Sequence, residues 1–368
     1  MGNFEAAFSK RRWDASLYRP ILNQLLCQKI RGWSDQIKWP NEKQFAACLT
    51  HDVDSVRLFS RRELVRTISQ YVQSCRTGKE RLKHLLSLSG LRHREQKVDL
   101  FTPWMEEERK HGFRSTFYFF PSRVSGRDPR DCTYQWDDPV TYRGKNATVQ
   151  ELVREIDHQG FEIGLHGSFS SATNYDFLRE QKEDLEKVLG CEVYSIRQHN
   201  LRFDIRSTPL IHERAGFQSD STVGFNRDVG FRSGIAYPYR PFDWDEKRSL
   251  GLLEIPLVLQ DGALLRKDNL GLHLEKAFEV CRLLIDRVAE TRGVITLLWH
   301  PNNMLDPAWF ELYSKLLDEI DRRKGWGASA KQIYDWWIGQ GLDGILERGL
   351  KQLSEGMDLS SYLSGTES

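Results

Sequence analysis

The sequence has no long hydrophobic run and almost no net charge. Nowhere in its 368 residues is there the stretch of about 18 consecutive apolar residues that a membrane-spanning helix needs. The first thirty residues carry charges throughout and lack the apolar centre of a secretory signal peptide, so we expect a cytoplasmic protein. Lys and Arg number 53 and Asp and Glu number 52, and this balance excludes the overall positive field that a nucleic-acid partner requires.

Cysteine is also sparse. The six cysteines are scattered singly, with no Cys-x-x-Cys pair. Free thiols of this kind are typical of a reducing cytosol, and their spacing argues against a disulfide framework or a structural zinc knuckle.

The sequence does contain a regular alternation of strands and helices. Residues 44–340 carry seven predicted strands alternating with helices, which predicts an α/β fold of parallel βα units closed into a barrel. Residues 1–43 are a predicted N-terminal helical extension, and residues 341–368 are a predicted C-terminal helix and tail. Barrels of this class reach about 250 residues as one unit, so a single barrel with additions accounts for the length.

One segment inside the barrel region differs in composition. Residues 57–97 contain eleven Lys and Arg against three Glu, a local net charge of +8, and their apolar residues have helical spacing. We interpret this segment as a basic helical insertion. It is either a solvated cap over the neighbouring fold or a peripheral contact for an anionic membrane or a lipid-linked phosphate.

Polar clusters follow four of the predicted strands. In a parallel barrel the carboxyl ends of the strands meet at one mouth, so we expect these side chains to share a cleft. Asp and His form a suitable ligand set for a Zn²⁺-like ion with an open position for water. Taken singly, each residue has a structural alternative: a turn cap, a hydrogen-bonded histidine, or an arginine paired with a surface carboxylate. The clusters are Thr50-His-Asp-Val-Asp54, Leu165-His166-Gly-Ser-Phe-Ser170, Ile196-Arg197-Gln-His199-Asn200 and Leu298-Trp-His300-Pro-Asn-Asn303.

A glycine pattern near the end of the chain is similar to a nucleotide-binding loop. Gly325-Trp-Gly327-Ala-Ser-Ala330 matches Gly-x-Gly-x-x-Ala before a helix. A dinucleotide site also needs a preceding strand and an acidic residue about 20 positions further on, and neither is legible here. We therefore interpret Ser329 as a helix N-cap and expect no nucleotide cofactor.

The order of the motifs resembles the polysaccharide deacetylases with the NodB-homology domain, carbohydrate esterase family four. The resemblance spans residues 44–340. Within the family, the sequence is most similar to the divergent WbmS-like branch from O-antigen and exopolysaccharide gene clusters. It is carried by residues 50–54, 166–170, 197–200, 220–224 and 298–300, together with the predicted strand at 115–119.

The resemblance implies a distorted (β/α)7 NodB-type barrel and hydrolysis of an N-acetyl or other N-acyl group on a sugar. It implies that Asp52 is the general base, and that Asp54 and His166 are ligands of a divalent metal, expected to be Zn²⁺. It further implies that His300 is the general acid that protonates the departing amine. Arg197 would orient Asp52 and keep it ionised.

Two positions depart from the family pattern. Val53 separates two aspartates that are usually adjacent, and Ser170 stands where the family has a second metal-ligating histidine. A serine hydroxyl is a poor zinc ligand compared with imidazole, so either another residue completes the metal shell or metal binding is weak or absent. His199 is the candidate replacement ligand.

These expectations describe a sugar N-deacetylase that acts during assembly of a surface polysaccharide. The substrate would be a nucleotide-linked or lipid-linked sugar, and the protein would be cytoplasmic or peripheral to the inner membrane. Two alternatives stay open. One is another C–N amide hydrolase on the same barrel, such as a deformylase or a cyclic-amide hydrolase. The other is a non-catalytic glycan-binding protein, for which the serine at position 170 is the argument.

Overall fold

The computed structural model describes residues 19–56, 98–122 and 124–356. The predicted basic insertion at 57–97 therefore lies outside the described residues, as do the far ends of both terminal additions. Within the described part of the chain, no helix is long and apolar enough to cross a membrane.

Strands and helices alternate along most of the described chain, as the sequence predicts. The strands are β1 (Phe45–Val53), β2 (Thr116–Phe119), β3 (Pro139–Tyr142), β4 (Lys145–Thr148), β5 (Glu162–Gly167), β6 (Ser195–Gln198), β7 (Ser219–Asp220), β8 (Phe242–Asp243), β9 (Arg248–Ser249), β10 (Leu253–Glu254), β11 (Leu259–Gln260), β12 (Val294–Leu298) and β13 (Gly325–Ala328). The helices are α1 (Ile21–Lys29), α2 (Trp33–Gln36), α3 (Thr102–Lys110), α4 (Val149–His158), α5 (Tyr175–Leu189), α6 (Thr208–Arg214), α7 (Asp261–Leu265), α8 (Leu274–Glu290), α9 (Pro307–Arg322), α10 (Ala330–Gly339) and α11 (Leu342–Gly356).

The main sheet is parallel and curls around β1. Its strand order is β10-β7-β6-β5-β2-β1-β12-β11, and β13 pairs with the first half of β1. β1 is buried along its whole length, because β12 covers one edge while β13 and then β2 cover the other. Such a strand can consist of a continuous apolar run that ends in polar residues. This is the pattern of residues 44–54.

One chain segment joins the two edges of the sheet. β10 pairs with β7 and β11 pairs with β12, and only four residues separate β10 from β11. Pro256 lies between them and interrupts the pairing, because proline has no N–H to donate to a ladder. Residues 253–260 therefore form two short strands rather than one continuous strand. The distorted parallel barrel expected from the sequence is confirmed.

Capping residues set the ends of the long helices. Thr148 and Glu151 form the predicted capping box at the start of α4. Asn174 caps α5, which ends at Gly190 with a positive φ of 83°. Ser329 caps α10, as predicted, in a second capping box. The segment before Ser329 was not predicted as a strand, but it is β13 and pairs with β1.

The N-terminal and C-terminal additions pack against each other. Leu26 and Trp33, from α1 and α2, share a buried apolar cluster with Trp337 and Leu346 of α10 and α11. The Trp33 indole N–H donates to the Tyr237 hydroxyl at 3.2 Å. This cluster lies under the first half of β1, away from the carboxyl ends of the strands.

Candidate metal centre

Two aspartates at the end of β1 point to the same side of the sheet. Side chains alternate along a strand, so Asp52 and Asp54 share one face while His51 and Val53 occupy the other. His51 accordingly turns away and pairs with Glu108 at 2.7 Å. The Asp52 side chain is 4% exposed and that of Asp54 is 34% exposed, so Asp54 is the carboxylate that faces the mouth. The intervening valine is what brings both carboxylates into one site.

His166 and His199 both aim one ring nitrogen at Asp54. His166 lies on β5, and its Nδ1 donates to the Arg197 carbonyl oxygen at 2.9 Å. Its Nε2 lies 3.2 Å from Asp54 Oδ1. His199 follows β6; its Nδ1 lies 3.4 Å from Asp131 Oδ1 and its Nε2 lies 3.8 Å from Asp54 Oδ1. Metal-ligating histidines are usually fixed in this way by a hydrogen bond at the nitrogen that does not bind the metal.

His300, which follows β12, approaches the same carboxylate from another side. Its Nε2 lies 3.5 Å from Asp54 Oδ2, and its Nδ1 lies 2.7 Å from Asp261 Oδ1. The other oxygen of Asp261 accepts hydrogen bonds from the His300 backbone N–H and the Asn303 amide, both at 2.8 Å. The imidazole is therefore held in one orientation.

The charges in the site stabilise one another. Burial alone would raise the pKa of Asp54, but His300, His166 and His199 outweigh it and lower that pKa. Burial would lower the pKa of His166, yet Asp52 and Asp54 raise it. The pKa of His300 is raised to about 9, because Asp261 and Asp54 outweigh the effect of burial. His300 therefore carries a proton at neutral pH in this arrangement.

Arg197 is buried and holds Asp52 in place by a salt bridge. The Arg197 side chain is fully buried, and its Nη1 donates to Asp52 Oδ1 at 3.1 Å and to Thr50 Oγ1 at 2.6 Å. Its Nε and Nη2 donate to the carbonyl and hydroxyl oxygens of Ser221, at 2.8 and 2.7 Å. A buried guanidinium with these partners fixes one oxygen of Asp52 and leaves the other, Oδ2, on the side of His166.

Ser170 does not join the site, but a cysteine does. Ser170 is half-buried at the start of a short 3₁₀ helix, and within the described residues it has no hydrogen bond to Asp54. The Cys132 thiol is buried and lies 4.0 Å from Asp54 Oδ1. Ligand atoms of Asp54, Cys132 and His199 all lie within 4.8 Å of one another. Burial, together with Asp54 and Asp131, raises the pKa of the Cys132 thiol.

The structure thus brings together the six predicted residues Asp52, Asp54, His166, Arg197, His199 and His300. It adds three that sequence reasoning missed: Asp131, Cys132 and Asp261. Asp261 directly follows β11, so the rule that polar residues at strand ends converge would have found it. Asp131 and Cys132 lie in the long polar loop after β2, where no periodic signal marks them.

Asp220, from the fourth motif, has a structural setting instead. It is fully buried and accepts a hydrogen bond from His212 Nδ1 at 2.9 Å and another from the Thr222 hydroxyl. It lies in a buried network with Glu254, beside the ribbon of chain that joins the sheet edges.

A divalent cation fits the donor set around Asp54. Carboxylate oxygen, imidazole nitrogen and thiolate sulfur are all common zinc ligands. Two of the three histidines have their Nδ1 beside a carboxylate, and the third donates to a carbonyl. This is the outer arrangement that metal-binding histidines typically have.

Comparison with known proteins bears on the fold. No protein-family model matches the chain. No curated protein matches it. Among solved structures, a putative polysaccharide deacetylase from Mycobacterium smegmatis is 20% identical, with a TM-score of 0.53 over 83% of this chain and 94% of that chain. This chain has a polysaccharide-deacetylase-type fold. Puue allantoinase is also similar, with 12% identity and a TM-score of 0.52 over 82% of this chain and 92% of that one. Because proteins named as a polysaccharide deacetylase and as an allantoinase share this fold, the fold alone does not identify a substrate.

Proposed function

We propose that this protein hydrolyses an N-acetyl or other N-acyl group on a sugar, with a divalent metal, expected to be Zn²⁺. One observation carries the proposal: three imidazoles, each held at Nδ1, direct Nε2 at the single carboxylate of Asp54. Beside them stands a second carboxylate, Asp52, fixed by a buried arginine. A metal-ligand set, a base and an acid in one cleft are the components of metal-assisted amide hydrolysis.

The residues divide into holders of the metal and carriers of protons. Asp54, His166 and His199 would hold the cation, which would lower the pKa of a nearby water and polarise the acyl oxygen. Asp52 takes the proton from the attacking water through Oδ2, since Oδ1 is engaged by Arg197. His300 gives a proton to the departing nitrogen, because an amine leaves poorly unless it is protonated. Asp261 Oδ1, 2.7 Å from His300 Nδ1, favours the protonated form of the ring.

The biological setting follows from the sequence resemblance. The WbmS-like branch is associated with O-antigen and exopolysaccharide gene clusters, and we extend the proposal to a nucleotide-linked or lipid-linked sugar in that setting. The protein would act in the cytoplasm, and its segment 57–97, with a local charge of +8, would contact the anionic surface of the inner membrane.

Acetate release is the direct test. Purified protein loaded with Zn²⁺ is incubated with free, nucleotide-linked and lipid-linked N-acetylated sugars, and acetate and bound metal are both measured. We expect stoichiometric metal and acetate release from at least one class. A protein that binds no metal and releases no acetate, but does bind glycans, would contradict the proposal and support the non-catalytic alternative.

Asp52→Asn separates the base from the metal ligands. We expect turnover to fall by about 10²- to 10⁴-fold, the usual contribution of a general base, while the bound metal remains. Asp335→Asn, at an exposed aspartate paired with Lys331, is the matched control and should leave both unchanged. Loss of metal in D52N would mean that Asp52 is a ligand and that its role and that of Asp54 must be exchanged.

A cyclic-amide hydrolase is the second candidate, because an allantoinase shares the fold over 82% of this chain. The same assay with cyclic amides and formamides in the panel distinguishes the two. Turnover of a ring amide without acetate release from any sugar would favour the second candidate.

A further inference from the structure

The metal centre of the proposed function departs from the family pattern at one ligand position. The family's second histidine in the motif at 166–170 corresponds here to Ser170, which has no contact with Asp54 among the described residues. In the proposed function, His199 takes that position. A catalytic zinc site usually has three protein ligands and an open position, so the identity of each donor atom determines which metal is held.

The Cys132 thiol lies beside two of the proposed metal ligands. Its Sγ lies 4.0 Å from Asp54 Oδ1, and together with His199 these residues form the group of three potential ligands whose donor atoms lie within 4.8 Å of one another. Cys132 is 6% exposed, and its thiol is within contact distance of the Asp54 carboxylate. It lies inside the cleft rather than on the surface.

The loop that carries Cys132 is fixed by its neighbour. Asp131 Oδ2 accepts a hydrogen bond from the Asp128 backbone N–H at 2.8 Å, and Oδ1 accepts one from the Phe169 backbone N–H at 2.8 Å. The same Oδ1 faces His199 Nδ1 at 3.4 Å. One aspartate therefore orients two adjacent donors, the thiol that follows it in sequence and the imidazole across the cleft.

We propose that Cys132 is a thiolate ligand of this metal centre, a fourth donor beside Asp54, His166 and His199 that leaves a fifth position for water. The proposal rests on the function proposed above. Cation binding replaces the S–H proton by an S–metal bond, and the proton leaves to solvent. Because thiolate is a soft ligand, the centre would prefer Zn²⁺ or Co²⁺ and discriminate against Mg²⁺ and Mn²⁺.

Cobalt substitution tests the ligand directly and does not depend on activity. A thiolate bound to Co²⁺ produces an intense sulfur-to-metal charge-transfer band in the near ultraviolet, whereas oxygen and imidazole ligands do not. The wild-type protein titrated with Co²⁺ is expected to show this band at one equivalent. Cys132→Ser should lose the band and bind Co²⁺ at least about tenfold more weakly, since even changes outside the ligand shell cost 10- to 100-fold.

Two further variants complete the test. Cys281→Ser removes another buried thiol, which lies on α8 in the apolar core and outside the group around Asp54, and should retain the band. Cys132→Asp keeps an anionic ligand at the position and should bind Co²⁺ without the band, which covers the case in which C132S does not fold.

Failure of this proposal is distinguishable from failure of the proposed function. A wild-type protein that binds one Co²⁺ without a charge-transfer band would overturn thiolate ligation and leave the metal-dependent hydrolase intact. A wild-type protein that binds neither Co²⁺ nor Zn²⁺ would overturn both. A band that persists in folded C132S would assign the sulfur to another cysteine and also refute the proposal.

Discussion

In the proposed function, Asp261 would act through His300 rather than on the substrate. It holds the His300 ring through Oδ1 at 2.7 Å and the adjacent backbone N–H through Oδ2 at 2.8 Å. A neutral imidazole in the wrong orientation could not deliver a proton to the leaving nitrogen. Asp261 is thus a positioning residue for His300.

We predict that Asp261→Asn lowers kcat by at least about tenfold, part of the 10²- to 10⁴-fold that a general acid contributes. KM and bound metal should be unchanged, because Asp261 contacts neither Asp54 nor the other ligands in the described contacts. Steady-state kinetics and metal analysis measure both. Asp306→Asn is the control, since asparagine caps the start of α9 as well as aspartate does. An equal fall of kcat in D306N would show that the effect is a general one on folding.

Individual site residues were predictable where they follow a strand. Asp52, Asp54, His166, Arg197 and His300 all lie at carboxyl ends of parallel strands, and the geometry of such a sheet forces them together. Cys132 could not be found this way. It reaches the cleft through a loop whose course depends on hydrogen bonds to residues about 38 positions away, such as Phe169, and no local pattern encodes those.

At the scale of elements, most helices were predicted correctly, whereas the short strands β3, β4, β8 and β9 and the sheet strand β13 were missed. α5, α8 and α9 span residues 175–189, 274–290 and 307–322, as the helical spacing of their apolar residues predicts, and α5 and α9 also have a capping residue. β13 was missed because its sequence is Gly-Trp-Gly-Ala, and glycine is depleted in strands. The two glycines are required by packing: Cβ atoms there would collide with the Ile320 side chain at one position and with the Phe113 ring at the other.

Gly327→Ala should therefore destabilise the protein by about 1–3 kcal/mol, the usual effect of forcing an extra methyl into a packed interior. Chemical unfolding measures the change in the free energy of unfolding. The matched control is Gly339→Ala at the end of α10, where an added Cβ meets no atom within 4 Å. That variant should be neutral or more stable by about 0.4–1 kcal/mol. Equal stability of both variants would contradict the assigned packing of β13 on Phe113.

At the scale of the whole molecule, the joining segment at 253–260 contains a buried acid. Glu254 is fully buried beside Asp220, and its Oε1 accepts a hydrogen bond from the Val223 backbone N–H at 2.9 Å. Burial and the neighbouring Asp220 carboxylate raise the pKa of Glu254 well above its ordinary value. At neutral pH the native protein therefore keeps a proton on Glu254, whereas the unfolded chain has already lost it.

This proton makes stability pH-dependent. The contribution is fully present below the unfolded pKa of Glu254 and is lost as pH rises toward the native pKa, by up to about 1.4 kcal/mol per pH unit. Glu254→Gln mimics the protonated acid, so we predict a flatter dependence of the unfolding free energy between about pH 5 and 8. Urea unfolding across this pH range measures the free energy of unfolding. The control is Glu311→Gln, at an exposed glutamate paired with Lys315, which should leave the pH dependence unchanged. An unchanged slope in E254Q would contradict a protonated Glu254.

The overall topology was predictable because each strand and helix repeats one pattern, and parallel βα units have few ways to close. The closure itself was not. The sequence of residues 252–259 does not show that β10 pairs with β7 and β11 with β12. That pairing depends on how far the sheet curls before its two edges meet.

The packing of both terminal additions on one side of the barrel has a spectroscopic consequence. Five of the eleven tryptophans, Trp33, Trp39, Trp326, Trp336 and Trp337, lie together there, with Trp39 ring centroids 6.1 Å from Trp326 and 5.9 Å from Trp337. Energy transfer and quenching among neighbouring indoles make emission sensitive to their separation. A fluorescence melting curve of this protein is therefore sensitive to separation of the N-terminal helices from β13 and α10, whereas circular dichroism follows the loss of all strands and helices.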